Sequence, residues 1–168
     1  MPGVLGPPIE DCYWRISLDA HNVYWSAGST THPVGCVVNS VPLAGGAVTT
    51  LLDQAYLRDF TIDASSLYYS ELASGSGSIQ RMPLGGGAPT PVATDIVAWV
   101  LINDAGNLYW IDPRLGEVGE IAKNNGTQVV SLPFPLQMDP IDVAEGLVAS
   151  PAGLFVTETP AGRIDRLY

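Results

Sequence analysis

Ile62-Asp63-Ala64-Ser65-Ser66-Leu67-Tyr68-Tyr69-Ser70-Glu71 decides the fold, because the chain writes this stretch four times. Two more copies are Leu18-Asp19-Ala20-His21-Asn22-Val23-Tyr24-Trp25-Ser26-Ala27 and Ile102-Asn103-Asp104-Ala105-Gly106-Asn107-Leu108-Tyr109-Trp110-Ile111-Asp112. A degraded copy reads Ala149-Ser150-Pro151-Ala152-Gly153-Leu154-Phe155-Val156-Thr157-Glu158. In each, an apolar run ends at Asp or Ser, and Asn22, Ser66, Asn107 or Gly153 follows three residues later. Asn and Gly tolerate the left-handed conformation that a tight hairpin takes at its last loop position, with Ser66 the weaker fit. The copies therefore read as strand, short turn, strand. The first aromatic advances from Tyr24 to Tyr68, Tyr109 and Phe155, in steps of 44, 41 and 46 residues. A period in the low forties with strand content throughout is the mark of a β-propeller blade.

The chain in order fills in the blades. Residues 1–11, rich in Pro and Gly, are an irregular lead-in to one propeller domain over 12–168. In the first unit, Cys12 to Leu18 opens the hairpin, Ser26 to Gly35 is a long polar loop, and Cys36–Leu43 and Ala47–Leu52 are outer strands around Gly45-Gly46. The second unit runs through Leu57–Ile62, Leu67–Ser70, a Gly75–Ser78 loop, Ile79–Leu84 and Pro89–Ala93. The third runs through Ile96–Ile102, Leu108–Ile111, Glu117–Ala122 and Thr127–Leu132, with Asn125-Gly126-Thr127 read as a turn and not a glycosylation site. After a Pro-containing connection at 133–142, a fourth unit starts near Val143 and reaches Tyr168 part-way through its third strand. The expected fold is all-β, a β-propeller of about four blades, three full plus a partial one, at about 12–52, 53–93, 94–132 and 133–168. Three readings of closure stand: residues 1–11 supply the missing strand, the chain is a fragment, or two arcs complete each other.

Composition narrows the function classes. With 46% apolar and 14% charged residues, the 168-residue chain is an ordered domain with a sizeable core. Seven basic against 17 acidic residues leave −10, a surface that repels phosphate backbones and anionic membranes. Nucleic acid is thus not an expected partner, nor is membrane insertion, since no apolar run nears the roughly 20 residues of a span. No cofactor is expected, although Ca²⁺ is electrostatically allowed. Met1-Pro2-Gly3 opens without a signal peptide, which leaves a cytosolic protein or part of a longer precursor. Cys12 and Cys36 read equally as one disulfide or two buried thiols.

Tyr24-Trp25-Ser26-Ala27, Tyr68-Tyr69-Ser70-Glu71, Tyr109-Trp110-Ile111-Asp112 and Phe155-Val156-Thr157-Glu158 resemble the YWTD repeats of lipoprotein-receptor propellers. Gly77-Ser78-Ile79-Gln80-Arg81 and Gly162-Arg163-Ile164-Asp165-Arg166 resemble that family's Gly-x-Ile-x-Arg stretch. Val41-Pro42-Leu43-Ala44-Gly45-Gly46 and Met82-Pro83-Leu84-Gly85-Gly86 are similar to bacterial propellers whose blades end in Pro-Leu-x-Gly-Gly. The resemblance implies an extracytoplasmic or secreted protein. It implies structural roles for the motif residues and no inherited ligand site. The chain departs from the family in lacking any full Tyr-Trp-Thr-Asp copy, and the family ring has six blades.

Catalytic signatures are sparse. His21 sits in a tight turn and His32 in the long first-unit loop, and both read as solvent-exposed turn residues. No Gly-x-Ser-x-Gly, His-Glu-x-x-His or phosphate-binding Gly-rich loop occurs. The aromatic pairs read as packing between blades in preference to sugar platforms. Glu71, Asp112 and Glu158 recur two residues after the second aromatic position. Glu71 is expected to pair with Arg81 and Glu158 with Arg166; a shared cation site would need the acids to converge on the ring axis.

The leading expectation is a non-catalytic module that binds a protein or carbohydrate ligand. A metal-assisted propeller hydrolase or lyase and a structural repeat of a larger surface protein are the alternatives. In an up-and-down blade the turns alternate between two faces. The face with the more variable loops is expected to bind, through His32, Glu71, Asp112, Arg114, Phe134, Asp139, Asp142 and Glu158. Self-association to complete the propeller is a further expectation.

Overall fold

The computed structural model describes residues 14–32, 35–73, 76–123, 129–133, 146–158 and 162–167. Four antiparallel meanders follow one another, each sheet ordered as its strands occur in the chain. The first joins β1 (Ile16–Leu18), β2 (Asn22–Gly28), β3 (Gly35–Pro42) and β4 (Thr49–Ala55). The second joins β5 (Leu57–Ile62), β6 (Ser66–Ala73), β7 (Ser76–Pro83) and β8 (Thr90–Ile96). The third joins β9 (Val100–Asn103), β10 (Asn107–Asp112), β11 (Glu117–Ala122) and β12 (Val129–Pro133). The fourth has three strands, β13 (Gly146–Ser150), β14 (Gly153–Glu158) and β15 (Arg163–Arg166). Among the described residues there is no helix. The chain divides into two compact units, Met1–Leu57 with the first blade and Arg58–Tyr168 with the other three.

The repeated stretch forms a turn by a device other than the expected one. Among the described residues the non-glycine ones at positive φ are Tyr56 and Asp95, so Asn22, Ser66 and Asn107 are not left-handed. The Asp at the end of the first strand shapes the turn instead. Asp19 Oδ1 accepts the N–H groups of His21 and Asn22, both at 2.7 Å. Asp63 Oδ1 does the same for Ser65 and Ser66 at 2.9 and 3.0 Å, and Asp104 Oδ1 for Gly106 and Asn107 at 2.8 and 2.7 Å. This is an Asx turn, in which a carboxylate replaces the strand's next carbonyl as acceptor. The other carboxylate oxygen takes the tyrosine five residues on: Tyr24 to Asp19 at 2.7 Å, Tyr68 to Asp63 at 3.1 Å, Tyr109 to Asp104 at 2.9 Å. The degraded copy changes both partners together. Ser150 stands for Asp and Phe155 for Tyr, and the Ser150 hydroxyl alone holds the Ala152 N–H at 3.1 Å.

The third motif position is also structural. The Ser26 hydroxyl accepts the Arg15 N–H at 2.8 Å, the Ser70 hydroxyl accepts the Asp59 N–H at 3.1 Å, and the Thr157 hydroxyl reaches the Gly146 carbonyl at 3.5 Å. A hydroxyl here ties the second strand to the start of the first. Pro42-Leu43-Ala44-Gly45 and Pro83-Leu84-Gly85-Gly86 close as turns, Gly45 N–H to Pro42 at 2.9 Å and Gly86 N–H to Pro83 at 3.0 Å. Gly45-Gly46 (φ 84°, 146°) and Gly86-Gly87 (φ 91°, 141°) then leave by a conformation that a Cβ would strain.

Within the larger unit the blades pack face to face. Leu101, Leu108, Trp110 and Ile121 of the third blade bury against Tyr68, Ile79 and Ala93 of the second. The opposite face, Val100, Tyr109, Ile111 and Val118, buries against Leu147, Leu154 and Val156 of the fourth. The alternation follows from the strand period of two. A Cβ at Gly119 would fall inside the Trp110 indole, so that glycine makes room for the largest side chain of the junction. Two polar ties cross the same junction: Asp59 Oδ2 accepts the Leu101 N–H at 2.8 Å, and Thr61 donates to Asn103 Oδ1 at 2.5 Å.

Several boundaries differ from those read in the sequence. Ser26–Gly28 is strand, pairing as far as Gly28 with Cys36, and not part of the long loop. Ser76–Ser78 is strand rather than loop, because Ala73 pairs with Ser76. Ile96 belongs to β8, and β9 begins only at Val100. In the first two cases cross-strand pairing overrides the local Gly/Ser composition, and in the third Ile96 pairs back to Gly77. Cys36 is disulfide-bonded. Cys12, the sequence's other cysteine, lies outside the described residues, as do the 1–11 lead-in, the Asn125 turn and most of the 133–142 connection.

Candidate functional site

The loop between β2 and β3 is built around Asp53 of β4. Its Oδ1 accepts the Ser29 hydroxyl at 2.6 Å and lies 3.1 Å from His32 Nδ1; its Oδ2 accepts the Thr31 hydroxyl at 2.6 Å. Ser29 Oγ in turn accepts the N–H groups of Thr31 and His32, each at 3.0 Å. Hydrogen bonds from Ser29 and Thr31 hold the Asp53 carboxyl below its ordinary range, against a smaller opposing effect of burial. Ser29 donates to the carboxylate and not to the imidazole, so the three residues do not form a nucleophile–base–acid relay. The loop is pinned, with the His32 imidazole on it half-exposed.

On the third blade the equivalent loop is the turn that follows β10. Asp112 is buried and accepts the Arg114 N–H at 2.9 Å through Oδ1 and the Arg114 guanidinium at 3.0 Å through Oδ2. The same Oδ2 lies 3.3 Å from the Val97 N–H. Asp112 thus shapes the turn, while Arg114 and Leu115 stand out from it at 45% and 65% exposure.

The other expected site residues divide sharply. Glu71 lies half-buried on β6 opposite Ser78, whereas Arg81 lies opposite Tyr68, three positions along β7. Three is an odd step, so the two side chains leave opposite faces and the expected ion pair is not formed. Arg81 Nε donates to Ser66 Oγ at 2.9 Å instead. Burial and then the Glu71 charge push the Tyr69 phenol up to about 12. In the fourth blade the register sets Glu158 opposite Arg163 and Arg166 opposite Phe155, again three apart. Phe134, Asp139, Asp142 and the side chain of Glu158 lie outside the described residues. Among the described residues no three His, Cys, Asp or Glu side chains come together as a metal-binding group.

Sequence reading passed over two charged residues that the structure makes central. Asp53 organises the first-blade loop, and Lys123 crosses between blades. The Lys123 side chain is only 6% exposed, and its ammonium meets Asp63 Oδ2 at 3.0 Å and the Asp104 carbonyl at 2.7 Å, 5.3 Å from the Tyr68 ring centre. Burial opposes ionisation of Asp63, but the Ser65 N–H and Lys123 outweigh it and bring the carboxyl to about 2. The signal available in the sequence was a single lysine placed where the first two blades carry Leu43 and Leu84.

No family model matches the chain, and no curated protein matches it either. Solved structures do. A chain of the nidogen/laminin complex superposes with a TM-score of 0.66 at 18% identity, over 85% of this chain and 54% of that one. The tricorn protease gives 0.58 at 12% identity over 90% of this chain, and TolB from Acinetobacter baumannii gives 0.57 at 15% over 88%. The fold is that of a β-propeller. The chain spans about half or less of each of these proteins: 54%, 17% and 40%. At such identities the likeness carries the propeller architecture and nothing of partner or chemistry.

Proposed function

We propose that the chain is a non-catalytic β-propeller module that binds a protein through the loops joining the second and third strands of its blades. The observation that carries this reading is the third-blade turn. There a buried Asp112 fixes the backbone and guanidinium of Arg114 next to a largely exposed Leu115. Arginine is among the residue types that concentrate binding energy at protein interfaces, and a preorganised turn lowers the cost of ordering it. The pinned first-blade loop, with His32 held by Asp53, is a second fixed loop at the same end of its own blade. One of the similar solved structures is a complex of nidogen with laminin, and a propeller found in a protein–protein complex supports the reading at the level of a binding module. The hydroxyl at Ser26, Ser70 and Thr157 supports assigning the repeats to the YWTD type.

The test is panning of a random-peptide display library on the immobilised chain, followed by a counter-screen. Arg114→Ala combined with Leu115→Ser abolishes binding of the selected peptides, by at least tenfold in affinity, without lowering the melting temperature. Substitution of His21, on the opposite turn, leaves binding intact. Peptides that are lost with His21→Ala and kept with the Arg114/Leu115 variant place the site on the other face and overturn the proposal.

A further inference from the structure

The two faces that the third blade uses to meet its neighbours have exposed counterparts on the first and the fourth blade. In the third blade, Leu101, Leu108, Trp110 and Ile121 face the preceding blade. Counting from the turn Asp, the same positions of the first blade are Ile16, Val23, Trp25 and Val41, with Leu18 in place of Asn103. Here Ile16 and Leu18 are 73% and 68% exposed, and Trp14, two residues before Ile16, is 77% exposed. Val23, Trp25 and Val41 are half-buried. The matching positions of the second blade, Phe60, Leu67, Tyr69 and Met82, are all buried.

The fourth blade shows the converse. In the third blade Ile102, Tyr109 and Val118 face the following blade. Their counterparts are Val148, Phe155 and Ile164, and Val148 and Ile164 are 60% and 70% exposed. The first blade therefore presents the half of a blade junction that receives a preceding blade. The fourth presents the half that receives a following one. One chain carries both halves in complementary form.

We propose that these faces dock onto each other between two copies of this chain, the fourth blade of one against the first blade of the other. The pairing continues the interface already built twice within the larger unit, in the same face order. It needs no partner of different chemistry, because each copy carries both faces. Such a junction is heterologous, joining two different surfaces, and this distinguishes it from a symmetric contact of one patch with itself. It is also apolar. The first-blade positions carry no charge, while each copy bears −10 overall, so long-range repulsion opposes association and salt relieves it. None of these side chains belongs to the loops that follow the second strands, so the junction and the ligand face proposed above are independent of each other.

Sedimentation velocity on the whole chain reads the outcome. The expected mass is twice the 17.7 kDa of one chain at micromolar concentration, with association strengthened by added salt. Ile16→Glu and Val148→Glu, both at exposed positions, each reduce it to a monomer while the melting profile of the isolated chain is retained. Mixing the two variants restores a dimer, because one intact fourth-blade face then meets one intact first-blade face. A wild-type chain that stays monomeric overturns the proposal. So do variants that leave the dimer unchanged, or a mixture that remains monomeric.

Discussion

Removing Lys123 and removing Asp63 break the same contact, yet the two losses differ in size. The Asp63 carboxyl titrates at about 2 against an ordinary 3.8, a gap that corresponds to about 2 kcal/mol of preferential stabilisation of its ionised form. Its side chain is 25% exposed, so the figure is not strongly discounted for solvent screening. That stabilisation is shared between Lys123, the Ser65 N–H and the Tyr68 hydroxyl. Lys123→Met keeps the hydrophobic stem and leaves Asp63 with its amide and phenol donors, for a cost of about 1 kcal/mol. Asp63→Asn instead leaves the Lys123 side chain, 6% exposed, with the Asp104 carbonyl but without its carboxylate, and breaking one partner out of a buried pair costs about 3–5 kcal/mol. The carboxyl is depressed in the fold, so its contribution is complete above about pH 4 and is lost as pH falls toward about 2. Urea denaturation of the wild type and both variants at pH 7, and again at about pH 2.5, measures all three quantities. The wild type loses about 0.4 kcal/mol more than Lys123→Met between the two pH values. If Asp63→Asn proves no more costly at pH 7 than Lys123→Met, the ammonium is hydrated and the buried-charge argument fails.

Gly119→Ala drives a methyl group into the Trp110 indole and is expected to destabilise by about 1–3 kcal/mol in denaturant titration, although the backbone there suits any residue. Ser70→Ala leaves the buried Asp59 N–H without its hydroxyl acceptor, at about 1–3 kcal/mol; Ser70→Thr retains the acceptor and recovers part of the loss. In the fourth blade, Ser150→Asp with Phe155→Tyr rebuilds the carboxylate–phenol bond of the other three copies. The pair is expected to show about 0.5–1.5 kcal/mol of favourable coupling in a double-mutant cycle, and coupling of zero means that the tyrosine bond is not what holds the turn.

The sequence by itself determined the repeat, its period, the hairpins and the side-chain alternation, because these depend on residues within about ten positions of one another. β11 matches Glu117–Ala122 as read, and β5 matches Leu57–Ile62, since strong apolar runs between turn residues have one way to pair. The Asp–Tyr spacing of five, visible in three copies, was legible too, but its meaning required seeing one carboxylate serve two amides and a phenol. Register was not legible. A three-position step separates Glu71 from the place where Arg81 would meet it, and composition alone does not count steps across a hairpin. Contacts between blades were beyond reach for the same reason. Lys123 meets Asp63 across 60 residues of sequence, and Thr61 meets Asn103 across 42. Only the stacking of one sheet on the next decides such meetings, because the ammonium of Lys123 reaches a carboxylate that belongs to the neighbouring blade.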